Sequence, residues 1–145
     1  MKKILSLILA VILMLTPLYV QVSASDSNVN YDDLVAPCYD NIDMIGACIS
    51  EGVLGFAVCG STFLSFETDK TFILSCFLQR TDENSAWQDY KSTSETFSGK
   101  GSYSIEKNWF APAGYDYRVV TLLVVKNSSG VIVETATKAS GVLYK

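Results

Sequence analysis

Cys38, Cys48, Cys59 and Cys76 carry the most reactive side chains in this 145-residue sequence. What they do depends on whether the chain folds where thiols are oxidised. Zinc is the rival reading, but their spacings match no zinc-knuckle pattern and the sequence has no histidine to complete a mixed set. The even count instead reads as two disulfides, with buried cysteines left as thiols as the alternative. If residues 56–65 and 70–80 are two arms of a hairpin turning at 66–69, Cys59 falls opposite Cys76, Ser61 opposite Leu74 and Phe63 opposite Phe72. Cys38 and Cys48 then form a local clip. The missing histidine also removes Ser-His-Asp and Cys-His nucleophiles and the side chain most used for proton transfer near neutral pH. Hydrolysis by those routes is excluded.

Acidic residues Asp32, Asp33, Asp40, Asp43 and Glu51 crowd the first third of the chain, and Asp40 and Glu51 even have the spacing of the first and last ligands of a calcium-binding loop. Ile42 and Met44 occupy oxygen-ligand positions, however, and Ile45 replaces the obligatory glycine, so a helix-loop-helix calcium site is excluded. A solvated acidic face is expected in its place, a looser calcium loop being the alternative. No metal and no cofactor are assigned.

The aromatics Trp87, Tyr90, Trp109, Phe110, Tyr115 and Tyr117 invite a sugar-stacking reading, because a sugar ring lies on an aromatic face much as apolar surface does. Core packing and corner-tying by a hydroxyl are the stronger expectation for most of them. Trp109, Trp87 and Tyr115 are the candidates for ligand contact, with Trp109 the most exposed in its loop-like setting. No carboxylate pair stands out for glycoside hydrolysis. The only arginines, Arg80 and Arg118, are expected in cross-strand ion pairs with Asp116 or Glu134.

The elements that hold these residues begin with a leader. Lys2 and Lys3 precede an aliphatic run from Ile4 to Leu15, Pro17 interrupts it, and Val22-Ser23-Ala24 supplies the small residues of a cleavage site. Residues 1–24 therefore read as a secretory signal peptide, a retained membrane anchor being the alternative, and the product as a secreted, extracellular protein that meets the membrane only through that signal. Its removal takes two lysines and leaves nine basic against 15 acidic residues, a net charge of about −6. A nucleic-acid partner needs a basic face, and the remaining lysines are scattered. The remaining 121 or so residues suit one domain.

Residues 25–51 read as a flexible or irregular segment, with an edge strand or short helical turn near 42–49 as the ordered options. From residue 52 the texture changes to small, β-branched and aromatic residues in alternating runs. Strands are predicted over 56–65, 70–80, 87–90 and 115–125, a weaker β stretch over 92–104, a corner at 109–114, a hairpin turn at Asn127-Ser128-Ser129-Gly130, a return over 131–137 and a last edge strand near 141–144. The fold class is all-β: an antiparallel two-sheet sandwich of immunoglobulin or fibronectin-type-III-like kind over residues 52–145, a small barrel being the alternative.

Leu78-Gln79-Arg80, the polar loop leading to Trp87, the Ser/Thr-rich middle and Gly114-Tyr115-Asp116-Tyr117-Arg118-Val119 before a closing hairpin together resemble a family of small exported proteins of Gram-positive bacteria. Asp116 here separates two tyrosines that stand side by side in that family. The resemblance implies a sandwich and brings no established activity with it. The expected function is a non-enzymatic extracellular binding module for a protein or glycan. A small secreted effector, antimicrobial or inhibitory, is the alternative, and a glycoside hydrolase ranks last.

Overall fold

The computed structural model describes residues 39–82 and 85–145. The expected signal peptide and Cys38, with its expected clip to Cys48, lie outside the described residues. Eight strands follow in order: β1 Met44–Glu51, β2 Phe56–Ser65, β3 Thr71–Thr81, β4 Gln88–Ser98, β5 Gly101–Phe110, β6 Asp116–Lys126, β7 Ile132–Ala139 and the short β8 Leu143–Tyr144. They form two antiparallel sheets, β1-β2-β5 and β4-β3-β6-β7, with β8 added beside β6. This is the expected β-sandwich, three strands over five, and not a closed barrel.

Period-2 patterning builds the core. In β2, Ala57, Cys59, Ser61, Phe63 and Ser65 are buried while the residues between them face outward. Tyr117, Val119, Thr121, Leu123 and Val125 do the same in β6, and Phe72, Leu74, Cys76 and Leu78 in β3, where Ser75 between them is buried as well. Phe63 anchors the packing, its ring 4.9 Å from Phe72, 5.1 Å from Tyr103 and 6.0 Å from Phe97. A buried hydroxyl pair ties the sheets together: Thr121 Oγ1 donates to Ser61 Oγ at 2.7 Å. The same Thr121 hydroxyl lies 2.9 Å from the Gly46 carbonyl. Unpaired, these groups would each cost about 1–3 kcal/mol to bury.

The expected hairpin between residues 56–65 and 70–80 does not form. β2 pairs with β1 and β5, β3 with β4 and β6, and the short link between them carries the chain from one sheet to the other. Cys59 therefore lies beside Ile49 and Lys107 in its sheet, and Cys76 beside Thr93 and Thr121 in the other. Cys48, Cys59 and Cys76 are free thiols. The irregular segment assigned to residues 25–51 also needs correction: β1 lies within it, Ile42 belongs to the core, and the edge-strand option is the one realised. Alternating Ile45, Ala47 and Ile49 pack inward, which gives that strand its face. The compact unit Pro37–Lys145 contains every strand and core residue among the described residues.

The Ser/Thr-rich stretch resolves into β4 and β5, which separate into different sheets at Gly99, whose φ of 77° suits glycine. The closing hairpin forms as expected, Asn127 to Gly130 turning β6 into β7 with Gly130 N–H donating to the Asn127 carbonyl at 2.9 Å.

Candidate functional site

One end of the sandwich collects three connections: the β1–β2 turn at Val53–Gly55, the β3–β4 loop around Asp82 and Ser85, and the β5–β6 loop at residues 111–115. Lys145 joins them, its backbone oxygen accepting from Gly114 N–H and its ammonium reaching Glu51 at 3.4 Å. Loops gathered on a rigid sandwich are where such folds place recognition.

The corner here is tied by Tyr117. It opens β6 fully buried, and its hydroxyl donates to the Pro112 carbonyl at 2.8 Å, five residues back. The phenol is pushed up from its usual value, chiefly by burial and next by Tyr90. Arg80, on the neighbouring strand opposite Tyr117, lies over two more rings, its guanidinium 4.5 Å from the centre of Tyr90 and 4.6 Å from that of Tyr115. Such contacts contribute about 0.5–1 kcal/mol each in partly exposed places and fix the guanidinium in one orientation. Arg118 does the equivalent on the outer face of its sheet. Its guanidinium lies 4.4 Å from the Trp87 ring, and its Nε donates to Gln79 Oε1 at 2.9 Å. Gln79 in turn donates to Asp89 at 2.8 Å.

The ion pairs expected for the two arginines are thus replaced by aromatic stacking, and among the described residues the ion pairs are made by Lys70, Lys107 and Lys145. Glu134 has another task. Its carboxylate accepts from Asp40 N–H, Asn41 N–H and the Asn41 side-chain amide, holding the start of the domain against β7.

Between Arg80 and the β3–β4 loop opens a polar recess of about 130 Å³, lined by Arg80, Thr81, Asp82, Ser85, Gln88 and Tyr115 among others. Its rim is pre-set: Thr81 Oγ1 lies 2.9 Å from the Asp82 carbonyl and 2.6 Å from that of Ser85, and Ser85 N–H donates back to Asp82. The recess offers a fixed cation, amide and hydroxyl groups, and an aromatic wall, the set that recognises a hydroxyl- or acid-bearing ring.

Of the three aromatics proposed for ligand contact, Tyr115 lines this recess and Trp87 stands near its loop on Arg118. Trp109 does not belong with them. Its loop-like setting is in fact the end of β5, where its odd register turns the ring inward against the core, half-buried. Arg80 with Tyr90 was missed as a unit, because pattern alone shows neither which strands are neighbours nor that two rings flank one guanidinium. No family model matches the chain, and the curated proteins contain no match to it.

Proposed function

We propose that the chain is an exported, non-enzymatic binding module that takes a glycan, acidic or rich in hydroxyls, at the recess beside Arg80. One observation carries the reading: the guanidinium is clasped by Tyr90 and Tyr115 and opens onto a rim already held by its own hydrogen bonds. A site whose polar groups are set before binding loses little entropy on capture. Its export rests on the basic, aliphatic and small-residue succession of residues 1–24 and on the resemblance of the Gly114–Val119 stretch to small exported Gram-positive proteins.

A glycan panel probed with the unit spanning residues 37–145 tests it. Gln88→Ala, at an exposed position, and Tyr115→Ala are each expected to weaken binding about 10–100-fold, the loss of roughly 1–3 kcal/mol typical of a buried contact. A panel without a binder, or two variants that bind like the parent, overturns the assignment.

Export has a consequence for the thiols. Cys59 and Cys76 both project into the interior from the central strands of opposite sheets, so in an oxidising compartment they are the pair to form an inter-sheet cystine. In the secreted product Cys59 and Cys76 are expected to take up an alkylating reagent only after reduction under denaturing conditions, whatever the exposed Cys48 does. Alkylation of Cys59 and Cys76 in denaturant without reductant is the contrary result.

A further inference from the structure

The three-stranded sheet has an outer face unlike the rest of this acidic protein. Along β1, β2 and β5 the outward positions are the even-numbered ones, and Glu106 is the single charged residue among them. At its centre Gly46 and Gly60 lack side chains, and the neighbours close over them: an added Cβ would come within 2.8 Å of Thr62 and 2.5 Å of Cys48. Beside them lies a mainly apolar recess of about 240 Å³ bordered by Gly46, Cys48, Gly60, Thr62, Ser104 and the one charged residue of the face, Glu106. That is on the scale of the ~150 Å³ cavities known to accept a benzene ring.

At the end of the same sheet stands a protrusion. The β1–β2 turn exposes Val53 by 80% and Leu54 by 88%, and Leu54 holds φ 55°, the one non-glycine residue among the described residues in the left-handed region. A leucine there is strained by about 1–2 kcal/mol where glycine would not be, and the exposed side chain recovers nothing from its own chain. The turn rests on the ring of Phe110, itself 52% exposed on the outer face and packed edge-on against Phe56 at 5.7 Å.

We propose that Leu54 of one copy seats in the Gly46–Gly60 recess of a second copy, and that the exchange is reciprocal. The turn joins β1 and β2, and the recess lies over the same two strands, with Phe56 and Gly60 four residues apart in β2, about 13 Å along the strand. Leu54 therefore does not reach its own recess. A two-fold axis lying in the interface, across the strands and midway between turn and recess, places each leucine at the other copy's recess and closes the assembly at two chains. Charge favours this occupant. An acidic chain, at about −6 once the leader is gone, meets its own copy with the least like-charge repulsion across a face whose strands present only Glu106. Three strands of this length bury on the order of 500 Å² per copy, the lower limit of a specific interface, so a micromolar equilibrium is expected.

Sedimentation of the unit spanning residues 37–145 from about 1 to about 500 µM brackets that range. The parent is expected to pass from one chain to two. Leu54→Glu and Ser104→Lys are each expected to remain single chains with unchanged circular dichroism, and their mixture to associate again, because the new glutamate meets the new lysine in one of the two contacts. A parent monomeric throughout, growth beyond two chains, or variants that pair as the parent does each overturn the proposal. Loss of glycan binding in Leu54→Glu without any self-association overturns it too, assigning the turn to a different partner.

Discussion

Phe63→Ala is expected to lower the free energy of unfolding by about 3–5 kcal/mol, the range for removing a fully buried aromatic ring and leaving the space unfilled. Phe63 is fully buried, and its ring meets Phe72 and Phe97 from the five-stranded sheet and Tyr103 from its own. Truncation thus opens a gap between two layers that backbone pairing holds in place, so collapse around it is limited. Urea unfolding of parent and variant measures the difference. Phe56→Ala is the control: that ring is 38% exposed on the outer face and its loss is expected to cost about 1 kcal/mol or less. Equal losses for the two phenylalanines would show that the interior is not organised around Phe63.

The second large effect is alkaline. Burial, followed by the neighbouring Cys76 and Cys48 thiols, pushes Cys59 from 9.0 up to about 12. In the unfolded chain the thiol ionises near its ordinary value, while the folded chain keeps its proton through the next three units. Between about pH 9 and pH 12 the unfolded state therefore binds fewer protons, and stability falls as pH rises. The contribution is fully present below pH 9, and its loss by the upper end amounts to on the order of 2–4 kcal/mol. Cys76 and Tyr117, both raised chiefly by burial, act in the same direction. With reductant present, denaturant midpoints taken across this window are expected to fall steeply for the parent and less steeply for Cys59→Ala. Parallel slopes would mean that the Cys59 thiol is not shielded from water.

Strands were legible because burial imposes a period of two on side chains whichever neighbour a strand finds. β2 matches its predicted limits, β6 and β7 theirs within a few residues, and the Asn127–Gly130 turn announced itself by residue type. Partnership was not legible. A four- or five-residue polar link closes a hairpin or crosses between layers with the same composition, and residues 66–70 do the second. The expected opposition of Phe63 and Phe72 nevertheless survives, as rings 4.9 Å apart across the interior rather than as a ladder pair. The same ambiguity misplaced Trp109: aromatic residues before Pro112 look like a corner, yet the strand runs on to Phe110. Leu54 was hidden inside an apolar run that reads as buried strand, since nothing in residue type marks a left-handed leucine.

Arg80 and Arg118 illustrate a different limit. Their placement on or at the end of strands was legible, but the choice between a carboxylate and an aromatic partner depends on which side chains the β3–β4 register shift brings within reach. That shift lies between Leu78 and Gln79, beside both stacked guanidinium groups.

The crossing of the chain from β2 to β3 also governs the order of assembly. β2 must wait for β5, whose ladder closes from Ser65 to Gly101, and β3 for β6, whose ladder closes from Thr81 to Asp116, so both central strands close loops spanning 36 and 35 residues before they are flanked on both sides. Contacts this distant along the backbone put acquisition of the native state in the millisecond-to-second range. Until then, β2 and β3 present open apolar edges, and a chaperone or a dilute environment governs the yield.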